Sequence, residues 1–131
     1  MAGDVKGDMV QPITVESGRI KITLQAVPVG NDLCVILYGG DAPHIGCVTL
    51  SVPRPGLKDK TATSATTSVL NVIGHKDDEA ARYVSCVLAS KLNKNVVVTC
   101  GIHVEDITDE EIRITIELLK DLTNKLIQQM V

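Results

Sequence analysis

Residues 67–102, TSVLNVIGHKDDEAARYVSCVLASKLNKNVVVTCGI, predict a strand, a helix and a second strand in direct succession. Both ends of the segment are rich in β-branched residues, which favour buried strands. Between them, apolar residues recur at the spacing of a helix, at Ala80, Ala81, Val84, Val87, Leu88 and Leu92. A helix of this length is sufficient to connect two parallel strands. Parallel strands would bring the loops that follow them to one edge of a sheet.

Further strands are predicted over residues 19–28, 33–40 and 44–52, and the Ser/Thr-rich residues 61–68 are expected to form a solvated loop that runs into a strand. Thr108 and Glu111 match a capping box, which opens a long helix with an apolar stripe of Ile112, Ile116, Leu119, Leu122 and Leu126. The sequence therefore predicts an α/β (α+β) fold, a mixed sheet of about six strands with two helices packed on one face. We expect residues 1–131 to form a single domain, with residues 1–12 flexible.

The composition argues against several classes of function. The net charge is −3, and no run of lysine or arginine forms the basic surface that a nucleic acid requires. No apolar run approaches the roughly 18 residues of a membrane span, and the N-terminus lacks the apolar core of a signal peptide. The four cysteines form no CxxC pair and fit buried thiols in a reducing compartment. We expect a cytoplasmic protein that binds neither nucleic acid nor membrane.

Three histidine-bearing loops are the strongest candidates for a polar site. His44 lies in GGDAPHIG, His75 in IGHKDD and His103 in GIHVED, each close to a glycine and a carboxylate. If the strands on either side of the helix point the same way, His75 and His103 stand at one sheet edge, where ligand sites of α/β proteins form. His44 joins them if the loop after the YGG strand lies on that edge.

Several kinds of chemistry fit these loops. The three histidines, with Asp41, have donor atoms that suit zinc or another divalent metal. The same groups suit a phosphate, because the His75 loop leads into a helix N-terminus whose N–H groups favour anions. A histidine beside a glycine is also explained as a loop residue bonded to a backbone carbonyl. Ser64, Thr66 and Ser68 offer hydroxyls, but the segment lacks the glycines of a phosphate loop or a nucleophile elbow.

The motifs YGGDAPHIG, IGHKDDEAA and GIHVEDITDEEI, in this order and with the Ser/Thr-rich segment, resemble those of the LpdD-like prenylated flavin chaperone family. Its members are small D-type accessory subunits of gallate and other hydroxyaryl decarboxylases. The resemblance, from about Leu33 to the last helix, implies a fold similar to proteasome-assembly chaperones, commonly dimeric, and a partner subunit that uses prenylated FMN. The ligand-binding positions that it implies are Gly39, Gly40, Asp41, His44, His75, Asp77, Asp78, His103 and Asp106.

Three hypotheses follow, and none assigns a catalytic residue. The first is a non-catalytic accessory protein, a homodimer, that assists maturation or prenylated FMN loading of a hydroxyaryl acid decarboxylase. Only Tyr38 and Tyr83 are available to stack on a flavin, so this binding would be transient or shared. The second is a small metal-dependent enzyme with His44, His75 and His103 as ligands. The third is an assembly chaperone that acts through a protein-binding surface. The sequence favours the first.

Overall fold

Six strands and two helices make up the part of the chain that the computed structural model describes, residues 10–72 and 77–131. The strands are β1 (Ile13–Ser17), β2 (Ile20–Val29), β3 (Asp32–Gly40), β4 (Cys47–Pro55), β5 (Thr63–Asn71) and β6 (Val96–His103). The helices are α1 (Asp78–Leu92) and α2 (Asp109–Met130). This architecture confirms the predicted fold class. Residues 1–9, most of the segment predicted to be flexible, lie outside the described residues.

The strands form one mixed sheet in the order β1-β2-β3-β6-β4-β5. β6 is parallel to β3 and antiparallel to β4, and β4 is antiparallel to β5. β5 and β6 therefore point the same way, as predicted, although β4 lies between them. We call the edge where β3, β5 and β6 end and β4 begins the loop edge. Both helices also begin there, since each follows a strand that ends at this edge.

Two strands depart from the sequence prediction. β5 begins at Thr63, so most of the Ser/Thr-rich segment predicted as a loop is strand. β5 is the last strand of the sheet, where one side of the backbone is unpaired, and β-branched threonine suits such a position despite its polarity. β1 was not predicted, because its inward residues Ile13 and Val15 are too few to establish a period.

One face of the sheet is buried under both helices. Alternate residues of the central strands supply the sheet side of this core: Ile22, Leu24, Val35, Leu37, Val98 and Cys100. The helices cover them with Ala81, Val84, Leu88, Leu119, Leu122 and Leu126. A buried hydroxyl chain adds directional contacts between β4 and α1, because Thr49 and Ser51 lie 3.0 Å and 2.7 Å from the hydroxyl of Ser85. These bonds fix the position of α1 on the sheet.

Arg19, in the turn between β1 and β2, ties α2 to the loop edge. Its guanidinium donates to both carboxylate oxygens of Glu111 at 2.7 and 2.9 Å and to the backbone carbonyl of Glu105 at 2.7 Å. It also lies 3.5 Å from the carboxylate of Asp41. Glu111 completes the predicted capping box with Thr108. The hydrogen bond from Arg19 is the main reason why the pKa of Glu111 falls to about 2.

We expect Glu111→Gln to lower the melting temperature at neutral pH but not in strong acid. A carboxylate whose pKa is depressed by folding stabilises the fold fully above its ordinary value of 4.5, and this contribution is lost as the pH falls towards about 2. Glutamine keeps an oxygen for the Thr108 cap but loses the charge that holds Arg19. The variant should melt a few degrees below the wild type above about pH 5, and the gap should close near pH 2.

The control is Glu110→Gln, which changes the neighbouring exposed carboxylate. Its melting temperature should stay close to that of the wild type across the same pH range. If the melting temperature of Glu111→Gln stays below that of the wild type by the same amount at every pH, the Arg19 ion pair is not the cause of the difference.

Candidate functional site

Three chain segments meet at the loop edge, which is why the polar residues of the sequence motifs come together there. The loop at residues 41–46, between β3 and β4, lies against the end of β6. The amide of Asp41 donates to the carbonyl of His103 at 2.6 Å, and the amide of Gly46 donates to the carbonyl of Cys100 at 2.9 Å. The third segment is the start of α1, where Asp77 contacts both of the others.

Glycines make this close approach possible. A side chain on Gly101 would overlap the backbone carbonyl oxygen of His44, and one on Gly46 would overlap the carboxylate of Asp77. Gly40, at the end of β3, has a φ of +77°, a left-handed conformation that glycine adopts without steric penalty. The glycines that flank His44 and His103 in the sequence are therefore explained by packing at the loop edge.

His44 and Asp77 form the central polar pair. His44 Nε2 lies 3.1 Å from Asp77 Oδ2, and His44 Nδ1 lies 3.0 Å from the carbonyl oxygen of Ala42. Both partners are acceptors, so the two hydrogen bonds coexist only when both ring nitrogens carry hydrogen. The side chain of Asp77 is 9% exposed and that of His44 is 22% exposed. The pair is therefore largely shielded from water, with the histidine on the outer side.

Asp77 binds the end of β6 and makes no side-chain cap on its own helix. It occupies the N-cap position of α1, and its Oδ1 accepts the backbone N–H of Ile102 at 3.1 Å. Burial, together with the nearby Asp77 charge, raises the pKa of the Cys47 thiol to about 11 and also raises the pKa of Cys100. Both buried thiols therefore stay protonated at neutral pH, which supports their predicted structural role.

Asp41 and His103 complete the polar rim of the loop edge. The carboxylate of Asp41 accepts the backbone N–H of Glu105 at 2.9 Å, which joins the loop after β3 to the loop after β6. His103 Nε2 lies 3.1 Å from the carboxylate of Glu105, and the histidine side chain is half exposed. Of the two histidines that the structure describes, His103 is thus the more accessible.

The structure also describes Asp78, Asp106 and Gly39, three further positions of the predicted site. Asp78 lies in the first turn of α1, 3.7 Å from Arg82 on the helix surface. Asp106 adopts a φ of +50° in the turn before α2. A side chain on Gly39 would overlap the backbone of Lys21 on the neighbouring strand. His75 lies outside the described residues, so the three-histidine cluster stays a prediction.

A cleft of about 600 Å³ opens beside the polar pair, between the first turns of α1 and α2 and over the end of β6. Its volume falls within the range of small-molecule and cofactor sites. We call it the edge cleft. Most of its lining is apolar, with polar groups from the loop edge and one lysine: His44, Asp77, Glu79, Ala80, Tyr83, Ile102, His103, Val104, Ile107, Ile112, Thr115, Ile116, Leu119 and Lys120.

The sequence prediction missed the apolar wall of this cleft. Ile112 and Ile116 belong to the predicted apolar stripe of α2, but they are 43% and 46% exposed, so this part of the stripe does not enter the core. The stripe reaches the core only from Leu119 onward. The first turns of α2 stand apart from α1, and this separation leaves the two isoleucines facing the cleft.

The structure describes two of the three histidines that the sequence predicts as metal ligands, so it tests the predicted metal site only in part. Within residues 10–72 and 77–131, no group of three or more His, Cys, Asp or Glu side chains is arranged to hold a metal ion. His75, one of the three predicted ligands, is not among these residues. The metal site therefore stays a prediction. In the same described residues, no helix is long and apolar enough to cross a membrane.

The α+β fold is similar to one found in an assembly-chaperone structure. One similar chain is from the crystal structure of a chaperone complex for yeast 20S proteasome assembly, with a TM-score of 0.61 and 13% identity over 95% of this chain and 98% of that one. Residues 16–131 match the model of the prenylated flavin chaperone LpdD-like domain, so the chain belongs to this family, as its motifs predicted. A search among curated proteins found no match.

We expect Asp77→Ala to destabilise the protein and to loosen the loop edge. The change leaves the N–H of Ile102 without its acceptor and His44 without its carboxylate, and an unsatisfied buried donor costs about 1–3 kcal/mol. Thermal or urea unfolding should show this loss, and the amide of Ile102 should exchange its hydrogen faster. Asp78→Ala is the control, because its exposed pair with Arg82 should contribute less than about 1 kcal/mol. Equal losses for the two variants would refute the central role of Asp77.

Proposed function

We propose that this protein is a non-catalytic accessory protein that holds prenylated FMN transiently in the edge cleft and helps to load it into a hydroxyaryl acid decarboxylase. The observation that carries the proposal is the edge cleft itself, which lies where the family motifs meet. Its volume of about 600 Å³ suits a cofactor. Its apolar walls suit an isoprenoid-modified ring system, and its polar rim offers partners for the ring heteroatoms.

The lining of the cleft supports transient binding rather than permanent retention. Tyr83 on α1 lines the cleft, whereas Tyr38 does not. A flavin would therefore stack on one aromatic side chain of this pair, and an aromatic pair contributes only about 0.5–1.5 kcal/mol beyond its buried area. Ile112 and Ile116 are half exposed, so one wall of the cleft is open to solvent. Such a site is suited to passing a cofactor to a partner subunit.

The same proposal places the protein in the cytoplasm, beside a large decarboxylase subunit. All four cysteines are free thiols, a state that a reducing compartment maintains. The half-exposed side of the cleft is the surface that this subunit would approach. The cofactor would then move from one protein to the other without crossing open solvent.

We further propose a homodimer that forms through the open face of the sheet. Apolar side chains protrude from this face on β3, β4 and β5, among them Ile36, Leu50, Val52 and Leu70, with exposures from 38% to 75%. With six strands about 4.8 Å apart and about 30 Å long, the face covers on the order of 800 Å², which is what one partner contributes to a standard interface. The second copy would cover these side chains and leave the edge cleft accessible, because the cleft lies on the helical side.

The loading function is tested by expressing the decarboxylase subunit together with variants of this protein. We expect Ile116→Glu, which places a charge in the apolar wall, to reduce the fraction of decarboxylase that carries prenylated FMN to the level found without the accessory protein. The cofactor is measured by absorbance of the purified decarboxylase and by its activity. Leu57→Glu is the control, because Leu57 is an exposed apolar residue outside the cleft.

The melting temperatures of both variants establish first that they are folded. The Leu57→Glu variant should load the decarboxylase as the wild type does. Full cofactor content with a folded Ile116→Glu variant would refute the edge cleft as the working site and favour an assembly chaperone that acts through another surface.

The dimer is tested by sedimentation equilibrium on Leu50→Lys. Leu50 lies in the middle of β4, the strand beside the outermost strand β5, and its side chain is exposed on the open face. An interface there would therefore bury the new charge without a partner. We expect the wild type to sediment as a dimer and this variant as a monomer, while Leu57→Lys remains dimeric. Even weak interfaces associate at concentrations of about 100 μM. A wild type that is still monomeric at this concentration would refute the dimer.

A further inference from the structure

We infer that the anionic end of the ligand binds Lys120 on α2, at the end of the edge cleft remote from the histidines. This inference rests on the proposed function, that the cleft receives a flavin mononucleotide. It assigns the orientation of the ligand. The ring system lies against the apolar walls, and the phosphate lies away from the start of α1.

Among residues 10–72 and 77–131, the charges at the histidine end of the cleft oppose a phosphate there. A helix N-terminus ordinarily attracts anions through its unpaired N–H groups. At the start of α1, however, three successive carboxylates, those of Asp77, Asp78 and Glu79, occupy the N-cap and the first turn. Asp77 and Glu79 both line the cleft. His44 Nε2 is already hydrogen-bonded to Asp77, so this nitrogen is engaged by a carboxylate and does not face a ligand phosphate. A doubly negative group placed here would meet like charges at short range.

Lys120 is the basic side chain of the opposite end. It lines the cleft about two helical turns beyond Ile112, or about 12 Å along the axis of α2. Its ammonium lies 3.9 Å from Glu117, and both side chains are at least half exposed. An ion pair of this length and exposure contributes little free energy, so a phosphate would compete successfully with Glu117 for Lys120. An ammonium on a flexible stem also adapts readily to a phosphate.

Apolar side chains line the part of the cleft between these two ends. Ile102 on β6 and Ile112 and Ile116 on α2 form one side, and Tyr83 on α1 stands on the other. A flat ring system placed between them would bury its faces against aliphatic and aromatic carbon. The polar edge of the ring would then point towards His103, and a chain leading to a phosphate would point along α2 towards Lys120. The cleft is thus matched to a ligand with an apolar body and one charged tail.

The test compares FMN with riboflavin, which differ only in the phosphate. Each is titrated with the purified full-length protein, and binding is followed by flavin fluorescence at low and high salt. We expect the wild type to bind FMN about fivefold more tightly than riboflavin, the scale of one exposed ion pair. Lys120→Gln should bind both flavins equally, with riboflavin affinity unchanged. In the wild type the preference should shrink at high salt, because salt screens exposed charges.

Lys125→Gln is the matched control. Lys125 lies on the same helix, is exposed to a similar degree as Lys120 and pairs with Asp121 at 3.1 Å, but it does not line the cleft. This variant should keep the preference for FMN. Failure of the wild type to bind either flavin would overturn the proposed flavin-holding function and this inference with it. Flavin binding without a preference for FMN, or with a preference that survives Lys120→Gln, would overturn the inference alone.

Discussion

The hydrogen bond between the Asp77 carboxylate and the backbone N–H of Ile102 is the contact on which the loop edge depends. It joins the start of α1 to the end of β6, two points that are linked in sequence only through α1, the turn after it and β6. The second oxygen of the same carboxylate binds His44 and so adds the loop after β3. One buried carboxylate therefore positions three segments, and the glycines around it let their backbones come within reach.

This use of Asp77 also explains the shape of the neighbouring cleft. Its carboxylate holds α1 against β6, while Arg19 holds the start of α2 from the side of β1 and β2. The two helices are thus anchored to different parts of the sheet at their first turns, and the apolar stripe of α2 becomes buried only further along, from Leu119. The space between the anchors is the edge cleft. A fold optimised for stability alone would bury Ile112 and Ile116, and the burial of each would contribute about 1.5–3 kcal/mol.

The sequence was sufficient to predict the class of fold and, if a parallel crossover joins β5 to β6, their common direction and the edge at which His103 lies. It placed His44 at that edge only on the condition that the loop after β3 lies there, a condition that the structure meets. These features follow from periodicity and from the handful of ways in which strands and helices connect. It was insufficient for β1, whose two inward residues establish no period. It also did not predict that Ile112 and Ile116 are exposed. The sequence pattern of an amphipathic helix is the same whether its apolar side faces a core or a cleft. That distinction depends on the separation of two helices, which arises from contacts distant in sequence.

An accessory protein that delivers a cofactor must bind it less tightly than the enzyme that receives it, because each factor of ten in affinity adds about 1.4 kcal/mol to the cost of release. Under the proposed function, the edge cleft would meet this requirement through the residues that line it. Tyr83 provides one aromatic contact, Lys120 one exposed charge, and the two isoleucines a wall that remains accessible from solvent. Each of these contacts is weak by itself, and most differences in affinity between related sites appear in the rate of dissociation. Enclosing the same ligand completely would raise its affinity but slow its departure, so the openness of this cleft is better suited to transfer than to retention.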